Sequence, residues 1–125
     1  MNKLIIVLFI TIVATSCDPI STDYFTISNY TNDTLKVAGS FTNNDSIQEN
    51  DSIIKIIPNT KTEITLFSKM GNSMVFDSIF FIIRITMKND SIYCKKYWQN
   101  INTWTKINKS KWRNEYVLTL NNSDF

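Results

Sequence analysis

The sequence contains no histidine, and glycine, proline, cysteine and alanine each occur only twice. Without histidine the chain lacks the usual general base, the usual catalytic-triad member and the commonest metal ligand. Two glycines are too few for a P-loop or a dinucleotide-binding fingerprint. Two cysteines cannot build a four-cysteine zinc site or a disulfide-rich scaffold. These absences exclude most familiar catalytic and metal-binding motifs, so we expect neither a cofactor nor a bound metal.

The residues that are abundant favour a single β-rich domain. The chain has 125 residues, of which 43% are hydrophobic, a composition that argues for one folded domain and against disorder. Alanine, the best helix former, is scarce, whereas isoleucine is the commonest residue with 19 copies. Isoleucine, threonine, tyrosine and phenylalanine all favour strands. Composition therefore predicts an all-β fold.

The first residues have the pattern of an export signal. A lysine at position 3 precedes a ten-residue apolar stretch, 4–13, which is too short to cross a membrane as a helix. Residues 14–17, Ala-Thr-Ser-Cys, resemble the lipobox of bacterial lipoproteins, which implies lipidation of Cys17. Ala14 and Ser16 also suit ordinary signal peptidase, which leaves a secreted protein with a free N-terminal cysteine as the alternative. We predict a signal peptide over 1–16, a lipidated tether over 17–22, a β-domain over 23–125, and a membrane-anchored lipoprotein in the cell envelope.

Alternation of apolar and polar residues predicts about seven strands separated by turn residues. The predicted strands lie at 24–28, 34–37, 52–57, 61–67, 79–85, 92–98 and 116–120. The 79–85 segment is nearly all apolar, which predicts a central strand buried on both faces. The interpretation of 99–112 stays open between a short strand and a loop. The short spacing of the turns is typical of an antiparallel sandwich.

A four-residue pattern, Asn-Asp-Ser/Thr-apolar, recurs at 32–35, 44–47, 50–53 and 89–92, and 76–79 lacks only the asparagine. One interpretation is a turn that begins a strand, since Asn, Asp and Ser favour turn geometry. A second interpretation is that Asp-Ser/Thr-apolar resembles the acceptor motif for O-glycosylation of exported proteins in the Bacteroidetes. The candidate acceptors are then Thr34, Ser46, Ser52, Ser78 and Ser91.

Several segments together resemble small Bacteroidetes lipoproteins of unknown function. They are the lipobox, the opening Ile27–Leu35, the turn Ile57–Thr62, and the ending from Tyr116 to Phe125. The resemblance implies an immunoglobulin-like β-sandwich that faces the periplasm or the cell exterior, and it implies no activity. Together with the strand count, it predicts a seven-stranded antiparallel immunoglobulin-like sandwich after a lipoprotein signal peptide.

Charge is distributed unevenly along the chain. Residues 18–83 contain four lysines against eight acids, whereas 84–113 contain eight cations against Asp90 alone. Aromatic residues are interleaved with these cations, which gives a candidate partner-binding patch at Trp104, Lys106, Lys109, Lys111, Trp112 and Arg113. Such a patch suits an acidic protein or an anionic lipid or glycan, and an exported address argues against nucleic acid. The alternative is a solvated strand face with its tryptophans buried. If this patch binds a partner, its four cations must share one exposed surface with Trp104 or Trp112. These cations are Lys106, Lys109, Lys111 and Arg113.

These observations favour a lipid-anchored, non-enzymatic binding module of the cell envelope. Two specific versions stay open: a periplasmic immunity protein that neutralises a toxin, and an accessory subunit of an outer-membrane complex. Cys94 has no histidine partner, and we expect it to be a small buried hydrophobe. An enzyme would need a carboxylate or lysine with a strongly shifted pKa in a pocket.

Overall fold

The computed structural model of the protein describes residues 19–40, 52–71, 79 and 81–125. Within these ranges the chain forms strands β1 (Ile20–Tyr30), β2 (Leu35–Gly39), β3 (Ser52–Ile56), β4 (Thr60–Met70), β5 (Ile82–Met87), β6 (Ile92–Tyr93), β7 (Thr105–Ser110) and β8 (Arg113–Asn121). Two 3-10 turns, Ile101–Thr103 and Asn122–Asp124, complete the described elements. The strands form two four-stranded sheets, sheet A in the order β4-β1-β8-β7 and sheet B in the order β3-β2-β5-β6. The predicted all-β sandwich is confirmed.

The core between the sheets follows the period-2 alternation of each strand. In sheet A, Phe25 and Ile27 of β1 point inward beside Leu118 and Leu120 of β8, and all four are fully buried. Sheet B contributes an equivalent set, namely Leu35, Val37, Ile56 and Ile85.

Phe25 is the centre of an aromatic cluster inside the sandwich. Its ring stacks on Tyr116 at 4.9 Å between centroids. It also makes edge contacts with Phe81 at 5.0 Å and Trp104 at 5.5 Å. The Trp104 indole N–H donates to the Trp98 carbonyl at 2.8 Å, which satisfies the one polar atom of this buried ring. Phe25 therefore joins both sheets and the 98–104 segment in one apolar cluster.

At the far end of β1 the side chain of Asn29, 1% exposed, connects the two sheets. Its amide donates to the carbonyl of Ile56 in β3 and to that of Asp33, both at 2.9 Å. Its oxygen accepts from the backbone N–H and the hydroxyl of Thr31 at 2.9 and 2.7 Å. Every polar site of this buried amide is satisfied, so it fixes the β1–β2 connection without an unpaired group.

One strand pairing could not be predicted from the alternation of apolar and polar residues. β1 runs antiparallel to β4 on one edge but parallel to β8 on the other. A parallel pair is possible because no short turn joins β1 to β8: the six strands between them lie partly in sheet B and partly in sheet A. β1 and β2 lie in different sheets, whereas the first two strands of an antibody constant domain share one.

The structure also corrects two predictions and decides between the two interpretations left open for 99–112. β1 begins at Ile20, so residues 20–22 belong to the first strand and not to a tether. The open segment 99–112 contains β7, an edge strand whose six residues are all exposed. The prediction that 79–85 is buried on both faces is wrong, because the register shift opposite Ala38 leaves both Ile83 and Arg84 facing solvent. Within the described ranges, no helix is both long enough and apolar enough to cross a membrane.

We expect Phe25→Ala to lower the free energy of unfolding by about 3–5 kcal/mol, because the lost ring leaves a cavity inside the aromatic cluster. The matched control is Ile83→Ala on the exposed face of β5, where the change should stay within about 0.5 kcal/mol. Urea unfolding followed by tryptophan fluorescence measures both. Equal destabilisation by the two variants would show that Phe25 is not the packing centre.

Candidate functional site

The solvent-facing side of sheet A carries a shallow pocket of about 120 Å³. All four strands of the sheet contribute to it: β4, β1, β8 and β7. The lining residues are Tyr24, Thr26, Glu63, Lys109, Arg113 and Glu115. Tyr24 and Thr26 alternate with the inward-pointing Phe25, and Glu115 is the register partner of Tyr24. The same alternation that builds the core therefore places these polar side chains together on the opposite face.

Two β-bulges border the pocket. On the β4 side, Phe25 pairs with Thr65 but Thr26 pairs with Glu63, so Ile64 is the extra residue. Ile64 and Thr65 are both buried as a result, while Glu63 stays exposed. On the other side, Lys109 is the extra residue between two β7–β8 pairs. Bulges redirect side chains and are frequent beside functional sites, so their position on both sides of the pocket favours a functional role for it.

Glu115 is the electrostatic centre of the pocket and its side chain is only 10% exposed. One carboxylate oxygen contacts the Lys61 ammonium and accepts from the Thr26 hydroxyl at 3.1 Å. The other oxygen lies 3.2 Å from the Lys109 ammonium. The Lys61 hydrogen bond, reinforced by Lys109 and Thr26, overcomes the opposing effect of burial and lowers the pKa of Glu115 from 4.5 to about 2. Glu115 is therefore a permanent anion above strongly acidic pH.

Arg113 and Tyr24 form the exposed side of the pocket. The guanidinium carbon lies 4.4 Å from the centroid of the Tyr24 ring, a cation–π contact that holds the arginine against the sheet. Arg113 is exposed, so its planar donor fork faces solvent and can pair with a carboxylate. The Lys61 and Lys109 ammonium groups are already paired with Glu115. Arg113 is thus the cation that this pocket offers to a partner.

The structure divides the predicted binding patch into four parts. Trp104 is a core residue, 5% exposed, and the expectation that it joins an exposed patch is corrected. Lys106 pairs with Tyr116 and shares its side of sheet A, opposite the pocket, with its ammonium 5.8 Å from the Tyr116 ring. Lys109 has the opposite parity in β7 and faces the pocket with Arg113.

Lys111 and Trp112 occupy the β7–β8 turn, where the Lys111 ammonium lies 4.8 Å from the Trp112 ring. The four cations are all exposed, but they do not share one surface, so the prediction of a single six-residue binding patch is wrong. On the edge strand β7, Lys106 and Lys109 also discourage pairing with another chain, which is a common use of lysine at sheet edges.

The candidate modification sites fall partly outside the described residues. Cys17, Ser46 and Ser78 lie outside them. Thr34 is exposed just before β2, and Ser52 is exposed at the first position of β3. Ser91 is exposed in the β5–β6 turn, and its hydroxyl donates to the Lys88 carbonyl at 2.6 Å. The turn interpretation of the recurring pattern is confirmed at 32–35 and 89–92, while glycosylation stays a prediction.

The 89–92 turn also has its own ion pair. Lys88, Asn89 and Asp90 all have positive φ, between 50° and 69°. Lys36 of β2 donates to Asp90 at 2.9 Å, and the Thr86 hydroxyl donates to its other oxygen at 2.7 Å. These two hydrogen bonds, that of Lys36 first, hold the pKa of Asp90 below its ordinary value. The ion pair thus supports a turn whose backbone conformation is uncommon for residues other than glycine.

Cys94 packs against the core but is only half-buried, less than the predicted burial of a small hydrophobe. Burial raises the pKa of its thiol, which opposes formation of the reactive thiolate. In the part of the chain that the structure describes, no three residues among Cys, Asp and Glu are grouped as a metal site would require.

Sequence reasoning missed Tyr24, Thr26, Lys61 and Glu115. A usable signal was present for Glu115, the first acid that follows the cations Lys109, Lys111 and Arg113. Recognising 105–121 as a hairpin would have placed Lys109 beside it. The contact between Lys61 and Glu115 could not be predicted in this way, because it depends on β4 and β8 both flanking β1.

Comparison with known proteins adds no relative: no family model, curated protein or solved structure matches this chain.

Replacing Glu115 by glutamine should lower the free energy of unfolding by about 1–3 kcal/mol at neutral pH, because two ammonium groups lose their anion. A carboxyl with a lowered pKa stabilises the fold above its ordinary pKa of 4.5, and this contribution is lost as pH falls towards 2. The difference between wild type and Glu115→Gln should therefore be constant above about pH 5 and vanish near pH 2.

Urea unfolding across this pH range measures the difference. The control is Glu63→Gln, an exposed carboxylate on the same pocket, which should change stability by no more than about 0.5 kcal/mol. Similar behaviour of the two variants at neutral pH would contradict the assigned role of the Glu115 cluster.

Proposed function

We propose that this protein is a lipid-anchored binding module of the bacterial cell envelope, held by lipid on Cys17, which uses the outer face of sheet A to bind an acidic protein. The anchor is proposed from the lipobox-like sequence at 14–17 and from the resemblance to small Bacteroidetes lipoproteins. The binding surface is proposed from the pocket around Tyr24, Arg113 and Glu115.

The observation that carries the proposal is the exposed Arg113–Tyr24 stack beside a fully paired carboxylate. Arginine and tyrosine are among the side chains that dominate binding energy at protein interfaces. Arg113 is already oriented by the Tyr24 ring, so less side-chain entropy is lost when a partner binds. Its guanidinium suits a carboxylate in two-pronged geometry.

The dimensions of the pocket favour a protein partner over a small molecule. Ligand pockets usually enclose about 300–1,000 Å³, whereas this one encloses about 120 Å³. A depression of this size accepts one side chain from a partner surface. A glutamate or aspartate from an acidic protein would meet Arg113 at the rim.

Glu115 meets part of the sequence-based criterion for an enzyme, since it is a nearly buried carboxylate with a strongly shifted pKa. The pKa of Glu115, however, is lowered, whereas proton transfer at neutral pH would need it to be raised. A general acid needs a pKa near the working pH, and its two lysines instead keep Glu115 ionised. The cluster is better suited to holding the four strands in register and to shaping the pocket, which supports a binding role.

The binding role is tested by photo-crosslinking in the producing cell with the full chain. A photoreactive residue at position 63, on the pocket rim, should capture a defined protein, whereas one at position 55, on the outer face of sheet B, should not. Arg113→Ala should reduce the crosslink about tenfold or more, as expected for the loss of an interfacial arginine. Lys55→Ala is the matched control and should leave the yield unchanged.

The identity of the captured protein would separate a toxin that this chain neutralises from a subunit of an outer-membrane complex. Equal capture from positions 63 and 55, or indifference to Arg113→Ala, would contradict the proposed binding face.

The anchor is tested separately by Cys17→Ala. Because two or three acyl chains are needed for stable attachment, loss of the only acylated residue should move the protein out of the membrane fraction. Cys94→Ala removes the other cysteine and should leave the protein in that fraction. Retention of the Cys17→Ala variant in the membrane would contradict the lipid anchor.

A further inference from the structure

The end of sheet A where β1 begins gathers apolar, aromatic and basic side chains. Ile20 and Met70 are register partners there and are 63% and 67% exposed. Lys69 precedes Met70, and the β7–β8 turn adds Lys111 and Trp112 because β8 starts beside the start of β1. The Thr22 N–H donates to the Trp112 carbonyl at 2.7 Å, which fixes this turn against β1. We name these five residues, Ile20, Lys69, Met70, Lys111 and Trp112, the entry end.

The entry end is set apart by its tryptophan, whereas exposed apolar side chains also occur in the strands of sheet B, at Ile53, Ile83 and Tyr93. Trp98 and Trp104 are buried, which makes Trp112 the most exposed tryptophan of the protein. Its ring carries the Lys111 ammonium at 4.8 Å. Tryptophan and lysine beside exposed apolar side chains are typical of proteins that contact the membrane–water interface, where an aromatic ring sits among the head groups.

The position of this end relative to the proposed lipid is limited by the covalent chain. Ile20 follows Cys17 by three residues, which span at most about 11 Å even when fully extended. The Gly71 N–H donates to the Pro19 carbonyl at 3.0 Å, so Pro19 is already held beside the end of β4. A lipid on Cys17 would therefore keep the start of β1 within about 11 Å of the acylated residue.

We propose that the entry end is a membrane-docking surface: Ile20, Met70 and Trp112 enter the head-group region of an anionic bilayer, and Lys69 and Lys111 pair with its phosphates. This inference rests on the proposed lipid anchor. Asp18 offsets part of the positive charge, so the apolar side chains and Trp112 supply a share of the contact. β1 would then stand on the membrane with Ile20 at its base.

Docking in this orientation leaves the proposed partner site accessible. Tyr24 lies four residues along β1 from Ile20, which is about 13 Å at the usual rise of a strand. Arg113 is level with Thr22, two residues from Ile20, so it forms the membrane-proximal border of the pocket, and Thr26 and Glu115 lie farther along sheet A. The two surfaces share no residue, and the pocket is open to a partner on the side away from the membrane.

The test uses the full chain, produced with its own signal peptide, purified in detergent and reconstituted into vesicles of equal parts phosphatidylcholine and phosphatidylglycerol. Intact mass first establishes whether Cys17 carries acyl chains. Brominated phosphatidylcholine then replaces the ordinary phosphatidylcholine, and tryptophan emission is recorded. We expect the Trp112 contribution, obtained by difference from Trp112→Phe, to fall roughly twofold.

Paired charge variants test the role of the lysines. Lys69→Glu combined with Lys111→Glu should reduce the quenching at least twofold, whereas Lys55→Glu on sheet B should retain it. Acylated protein without quenching of Trp112 would overturn the docking surface while leaving the anchor intact. Absence of acyl chains on Cys17 would overturn the anchor itself, and the docking proposal with it.

Discussion

The strand β1 is hydrogen-bonded along both of its edges, to β4 on one side and β8 on the other, and most other features depend on this constraint. A strand held on both edges cannot rotate, so its alternate residues are committed to opposite faces. Phe25, Ile27 and Asn29 must enter the sandwich, and Tyr24 and Thr26 must leave it. A shift of one residue would bury the pocket and expose the aromatic cluster.

Ion pairs connect the strands of sheet A on its outer face, as apolar packing connects them on its inner face. Glu115 draws Lys61 from β4 and Lys109 from β7, so one carboxylate bridges the two outermost strands of sheet A across β1 and β8. Through Lys109, Glu115 also neutralises part of the charge of the basic segment 84–113. The Asn29 side chain links the two sheets in a similar way, but through hydrogen bonds between uncharged groups.

The fold class could be predicted from the sequence because alternation and turn chemistry are local properties. The recurring Asn-Asp-Ser/Thr pattern correctly indicated turns before β2 and β6. Strand pairing, by contrast, depends on which strand edges meet, and no local sequence pattern indicates that β8 lies parallel to β1. The candidate patch was affected in the same way: its six residues lie within ten positions of sequence, but strand parity and core packing distribute them over different surfaces. Only Lys109 and Arg113 proved to line the pocket.

The arrangement of β1 has a mechanical consequence. Ten residues of β1 have register partners in β4 and nine have partners in β8. Antiparallel ladder bonds run perpendicular to the strand, so a pull on the N-terminus, directed along β1, loads them in shear. Bonds loaded in shear must break together, whereas bonds loaded at one end open in succession. A load applied along β1 from its N-terminal end would therefore strain many of these bonds at once rather than one after another.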